Sequence, residues 1–238
     1  VGGGVIETRG STLCLIIAHA RADRYADAQI DDYRGLPRRR FPWRPALRLT
    51  VRARFSPQVR GTAGFGFWND PFLMTGRRTP TLPRAVWFFY ASPPSNIKLD
   101  RHTAGHGWKA AVIDTLRPIA LPLAFLALPA TLLMNWPPLY RILWPPIQHA
   151  LHIGEREVPA DMETWHTYSL EWRKRETRFF VDGECFLHAP APRGPLGFVL
   201  WIDNQYLVIT PWGRFRWGLL AVPDHQWMEV GYLTIERL

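Results

Sequence analysis

The chain has 238 residues, 47% of them hydrophobic and 13% aromatic, which is enough to bury a core and excludes a disordered segment. Its formal net charge of +9 is almost entirely arginine, since lysine occurs only at Lys98, Lys109 and Lys174. These arginines are scattered, with one dense group from Arg34 through Arg38, Arg39 and Arg40 to Arg44, and no nucleic-acid motif accompanies them, so no nucleic-acid partner is expected.

Read in order, most of the chain alternates short apolar runs with turn signals. "GGGVIETRG" and "STLCLIIAHA" read as strands, and "YADAQIDDYRGLPRRRFPWRPA" as a short strand followed by a proline-rich loop. In "LRLTVRARFSP" a period of two puts Leu47, Leu49, Val51, Ala53 and Phe55 on one face. "GTAGFGFWND" and "RAVWFFYASPP" are aromatic runs bounded by Gly or Pro, which suits central strands covered on both faces. Residues 164–188 read as a hairpin with a charged turn at Arg173–Thr177 and a tight turn at Asp182-Gly183. "GPLGFVLWIDNQYLVIT" and "QWMEVGYLTIERL" supply further strands. Many strands at close spacing predict one all-β domain over 1–238, a sandwich or barrel.

Residues 113–153 break the pattern. The stretch 121–146 holds one charge, Arg141, and prolines punctuate it into short helical pieces. Its most apolar run, "IALPLAFLALPATLLMNW", is short for a spanning helix, which needs about 20 apolar residues, and Pro122 and Pro129 interrupt it. The expectation is a mostly helical apolar insertion that acts as a lid, with a dimer or membrane-surface contact as the alternative.

Several passages resemble the laminarinase-type β-sandwiches, the glycoside hydrolase family 16 group of concanavalin-A-like jelly rolls. "WHTYSLEWRKRETRFFVDGECF", residues 165–186, is similar to that group's His-Thr-Tyr…Glu-Trp…Phe-x-Val-Asp-Gly hairpin. "YADAQIDDY" with "LRLTVRARFSP", "GTAGFGFWND", "GPLGFVLWIDNQY" and "MEVGYLTIERL" fall in the group's strand order. The resemblance implies a concanavalin-A-like jelly-roll β-sandwich. It also implies a strand of the type Glu-x-Asp-x-x-Glu, whose period-two carboxylates supply nucleophile and acid/base. The matching strand here is "RAVWFFYASPP". Neither of its faces, Ala85, Trp87, Phe89 and Ala91 or Val86, Phe88, Tyr90 and Ser92, carries an acid. A standard family 16 glycosidase is therefore not expected; the active site reads as degenerate.

An aromatic floor under an apolar insertion suits an apolar or amphipathic small molecule, such as a lipid or isoprenoid. The expected ligand-binding residues are Trp68, Trp87, Phe89, Tyr90, Trp201, Asn204 and Tyr206. Asp203, in an otherwise apolar strand, is the first candidate for acid/base chemistry, and His102, in the loop "DRHTAGHGW", is the second. Carbohydrate binding, or hydrolysis with relocated acids, is the alternative class; a structural protein docking through the insertion, as a homodimer or on a membrane, is a third. Asn69-Asp70 reads as a turn cap, His166 as part of the hairpin, and Glu155, Glu157, Asp161 and Glu163 as a solvated loop. Neither a cofactor nor a metal site is expected, because no Cys/His spacing suits a metal and Gly105 and Gly107 break a His102–His106 helical pair. Cys14 and Cys185 read as free thiols, and a reducing cytoplasm, with membrane association as an option, is the expected compartment.

Overall fold

A computed structural model describes residues 2–71, 79–117 and 121–238. Sixteen strands run β1 (Gly4–Arg9), β2 (Thr12–Ala20), β3 (Asp27–Asp31), β4 (Leu47–Phe55), β5 (Thr62–Trp68), β6 (Arg84–Ala91), β7 (Asn96–Ile97), β8 (Gly107–Asp114), β9 (Gly154–Glu157), β10 (His166–Trp172), β11 (Glu176–Val181), β12 (Glu184–Pro190), β13 (Gly197–Asp203), β14 (Gln205–Ile209), β15 (Phe215–Leu219) and β16 (Val222–Arg237) among the described residues. Helices α1 (Leu121–Leu133) and α2 (Pro137–Ala150) lie between β8 and β9.

Two antiparallel sheets form the sandwich. One is ordered β1-β2-β16-β4-β10-β11-β12, the other β3-β13-β5-β6-β8-β9. The strand spacing predicts a sandwich or barrel and the family resemblance a jelly roll; the all-β jelly-roll sandwich is the architecture present.

The side-chain period of two sorts the residues between layers. In β4, Leu47, Leu49, Val51, Ala53 and Phe55 are buried, while Arg48 and Arg52 alternate outward. They meet Phe65, Phe67, Val86, Phe88, Leu200 and Ile202 from the second sheet in the inter-sheet core. The hairpin closes as its turn residues require. Asp182 and Gly183 both have positive φ (50° and 88°) between the paired Val181 and Glu184, the geometry of a two-residue hairpin loop.

The outer face of the second sheet is covered as well, so β5 and β13 are buried along their whole length. Its outward residues, Trp68, Ala85, Phe89, Ile113, Val199 and Trp201, form a separate cluster with Met134, Trp144 and Ile153 of the helical region. A small third sheet, β15-β14-β7, stands beside this face. Asn69 does act as a turn clamp: its Nδ2 donates to the Leu82 carbonyl and its Oδ1 accepts from the Arg84 amide. Cys14 is buried and Cys185 exposed, both free.

Candidate functional site

The outward face of the second sheet floors a cavity of about 170 Å³. An apolar cavity of roughly 150 Å³ holds a benzene-sized guest, so this one accepts a compact ring or the end of a chain. Its aromatic floor comes from three adjacent strands, and the local sequence explains how. In β5, Gly64 and Gly66 point outward between Thr62 and Trp68. A Cβ on Gly66 would lie 2.5 Å from the Trp87 Cβ, and one on Gly64 would lie 3.0 Å from Trp201 Cη2. The alternating glycines of "GFGFW" are the recesses into which the neighbouring indoles settle.

Trp87 stacks on Phe89 with centroids 5.4 Å apart and 19° between planes, and meets Trp68 at 5.7 Å and Trp201 at 5.5 Å. The two buried indoles of the floor have N–H partners: Trp68 Nε1 donates to the Tyr33 hydroxyl at 2.6 Å, and Trp201 Nε1 to Thr62 Oγ1 at 3.0 Å. The register question along β6 is thereby answered. Ala85, Trp87, Phe89 and Ala91 face outward, while Val86 and Phe88 face the sandwich core.

Polar groups reach the cavity at its ends. Asp203 lies at one of them, its Oδ1 accepting from the Thr62 amide (3.0 Å), Thr62 Oγ1 (2.9 Å) and the Gln205 amide (2.9 Å). Burial, followed by the nearby Asp27 carboxylate, pushes Asp203 up to about 7 despite those donors. Asp27 is pushed up to about 6, again chiefly by burial. Burial and the Asp203 charge also hold the Tyr25 phenol well above its ordinary value.

On the far side, Glu155 pairs with Lys109 at 2.5 Å, both side chains 1% exposed. Lys109 Nζ also donates to the carbonyls of Ile97 and Ala104, and Glu155 Oε2 accepts from the Asp100 amide. Arg84 is taken by Asp114 at 2.9 Å. Most charged groups on the wall are therefore engaged with the protein itself.

Of the expected site residues, Trp68, Trp87, Phe89, Trp201 and Asp203 come together on this cavity. Four do not. Tyr90 packs against the inter-sheet core, and its hydroxyl donates to the Val59 carbonyl. Asn204 is a buried strap: Oδ1 accepts from the Ala26 amide, and Nδ2 donates to the carbonyls of Arg21, Arg24 and Leu220. Tyr206 lies over Gly218 of β15, while its neighbours Gln205 and Leu207 line the cavity. His102 is exposed in its loop, away from the lining. The acidic stretch after the insertion also needs correcting at one position, because Glu155 is buried in its ion pair rather than solvated. His166 bonds Asp182 at 2.6 Å within the hairpin.

The insertion sits differently from a simple cover. No residue of 126–150 lines the cavity. The helices pack at its rim, where Trp144 Nε1 donates to the Leu99 carbonyl at 2.9 Å. The side wall is Ile97 and Leu99 with Leu207 and Ile209, from and beside the third sheet. The basic group near residue 40 is also engaged: Arg38 donates to the carbonyls of Asn69, Asp70 and Thr79, and Arg34 pairs with Asp31. Among the described residues no cluster of His, Cys, Asp and Glu has the makings of a metal site.

No protein-family model and no curated protein matches the chain. Solved structures do. The kappa-carrageenase of Zobellia galactanivorans superposes with a TM-score of 0.55 over 98% of this chain and 81% of its own, at 11% identity. An endo-acting O-glycanase of the human gut microbiota gives 0.54 over 100% and 84%, at 16% identity. At such identities the likeness is one of fold. The chain has the laminarinase-like, concanavalin-A-like jelly-roll fold of these glycanases.

Proposed function

We propose that the chain binds a small molecule on the outer face of its second sheet, and that the ligand presents an apolar ring or chain end to Trp87, Phe89 and Trp201. The observation that carries this reading is the contrast within the cavity wall. Its floor is aromatic, while Thr62, Arg84 and Glu155 are already engaged with protein partners, Glu155 with Lys109. A sugar would leave its hydroxyls short of partners there, whereas an isoprenoid or acyl end needs few. Gln29, Gln205 and Asp203 offer one polar end, which suits an amphipathic molecule.

A second reading, carbohydrate binding, is favoured by the glycanase fold of the structural neighbours, and that likeness speaks for sugar more than for lipid. Indole faces also stack on sugar rings. Hydrolysis is less well supported than binding. The two acids that line the cavity, Asp203 on β13 and Glu155 on β9, stand four strands apart in the sheet, about 19 Å at the usual spacing. A glycosidase pair needs roughly 5–9.5 Å. Asp27, which is close to Asp203, does not border the cavity.

Titration calorimetry of the purified chain against farnesol, a medium-chain fatty acid and neutral galactan and glucan oligosaccharides separates the two. Saturable binding of an apolar compound, lost in Trp87→Ala, supports the first reading. Binding of an oligosaccharide alone replaces it with the second.

A further inference from the structure

We infer that the helical insertion and β15 together form a docking surface for an anionic membrane. The helices bury one side in the cluster on the sheet and leave the other bare. Leu128, Leu132, Trp136 and Ile142, with Phe215 and Trp217 of β15, are each 60–72% exposed. The two groups form one surface because the turn before β15 is fastened to the helices. Asn135 Nδ2 donates to the Trp212 carbonyl at 3.2 Å, the Tyr140 and Trp212 rings meet edge-on at 5.3 Å, and a Cβ on Gly213 would strike Thr131 Cγ2. An apolar surface of this kind on a folded chain marks an interaction site.

Its charge selects the partner. Arg101, Arg141 and Arg214 are exposed on the helices' side and in the turn before β15, with Arg101 reaching the Arg141 carbonyl, while Arg216 alternates with Phe215 and Trp217 and takes the other face of that strand. The sequence holds no acidic residue between Asp114 and Glu155, or between Asp203 and Asp224. Two carboxylates that flank the helices are already engaged. Asp100 accepts from Gln148 and from the His102 and Thr103 amides, and Glu155 pairs with Lys109. Apolar side chains, tryptophans and arginines without acids match the boundary of an anionic bilayer. A second copy of the chain fits poorly, since a twofold contact sets the same patch against itself and opposes arginine to arginine. Crossing the bilayer is also outside the reach of these helices. At 13 and 14 residues each is about 20 Å long, against roughly 30 Å of hydrocarbon.

The test is co-sedimentation of the full chain with vesicles of phosphatidylcholine alone or mixed with phosphatidylglycerol, with light scattering to read the oligomeric state. Wild type should pellet with the anionic vesicles and much less with the neutral ones. The triple variant Arg101→Glu, Arg141→Glu, Arg214→Glu should lose on the order of a hundredfold in partitioning. Leu128→Gln, Leu132→Gln, Trp136→Gln should lose binding to both, with an unchanged thermal melt because these side chains are exposed. Failure of wild type to bind either vesicle overturns the inference. So does full binding by the apolar variant, or a stable wild-type dimer that this variant dissolves. None of these readouts depends on what occupies the cavity, so a failure of the ligand reading would leave this result standing.

Discussion

Asp27 and Asp203 face each other directly across the antiparallel ladder of β3 and β13, both on the outward side of the sheet. Cross-strand partners hold their Cβ atoms roughly 4.5–5.5 Å apart, so the two carboxyls are close neighbours in a site that excludes most water. Burial raises both, Asp27 to about 6 and Asp203 to about 7, and the Asp27 charge adds to the shift of Asp203. The cavity thus has a proton held at one end near neutral pH.

This pair makes stability fall with pH. For Asp203 the folded value, about 7, exceeds the ordinary 3.8, so between those pH values the folded state binds the proton and the unfolded chain does not. The contribution is complete below the ordinary value and lost as pH rises to about 7, a swing on the order of 4 kcal/mol for this group. Asp203→Asn keeps an Oδ1 for Thr62 and Gln205 while removing the charge. Urea denaturation should show wild type weakening steeply up to about pH 7, and the variant more stable than wild type at pH 8. The slope left in the variant belongs to Asp27, below about pH 6. Equal slopes in the two proteins would refute the assignment.

The Lys109–Glu155 pair should behave as one unit. Either charge alone, at 1% exposure, is costly to leave unpaired. Lys109→Met is expected to cost about 3–5 kcal/mol, and Glu155→Gln a comparable amount. The double variant should cost clearly less than the two together, because it removes both charges and Gln can still accept from the Asp100 amide. A double-mutant cycle by denaturation checks this; additive losses would show that the two groups act independently.

Much of this arrangement is legible in the sequence, and the rest is hidden for identifiable reasons. The alternation in β4 and the Asp182-Gly183 turn fixed the sandwich, because local periodicity and turn chemistry act over a few residues. The aromatic strands gave Trp68, Trp87, Phe89 and Trp201. Tyr90 falls in the core rather than the cavity because adjacent strand residues face opposite ways, so one step in register separates the two. Asn204 and Tyr206 lie where the chain leaves β13 for β14, and no periodicity carries across such a corner. Strand β8 gives no clear alternation: "GWKAAVID" holds Lys109 and runs toward an apolar insertion. Its partner Glu155 is 46 positions away in sequence, and nothing local shows that a lysine and a glutamate so far apart pair on one wall. Asp27 had no signal of its own, since its meaning depends on lying opposite Asp203.

The glycines of β5 should be intolerant of even one methyl group. A Cβ at Gly66 would sit 2.5 Å from both the Trp87 Cβ and the Val86 carbonyl oxygen, so neither a rotamer change nor a flexible side chain can relieve it. Gly66→Ala is expected to destabilise by about 1–3 kcal/mol and to displace the Trp87 ring. Gly107→Ala meets nothing within 4 Å, but its φ of 100° makes it a control for backbone strain without crowding. Thermal melts of the two variants, with near-ultraviolet circular dichroism of the tryptophans, distinguish them. The indole signal should change in Gly66→Ala alone.

Trp87 and Tyr90 stand three positions apart on one strand and serve different layers, which gives a test of the cavity's orientation. Trp87 is partly exposed and contacts Trp68, Phe89 and Trp201, whereas Tyr90 packs on the sandwich core with its hydroxyl on Val59. Trp87→Ala removes the centre of the floor. It should weaken an apolar ligand by at least about tenfold, the scale of losing part of one aromatic contact in a desolvated pocket. Tyr90→Phe removes one hydrogen bond, costs about 1 kcal/mol of stability, and should leave affinity unchanged. Calorimetric titration of both variants beside denaturant melts separates binding from folding. A Trp87→Ala protein that binds as wild type does, or a Tyr90→Phe protein that loses affinity while keeping its fold, would place the ligand on another face of the sandwich.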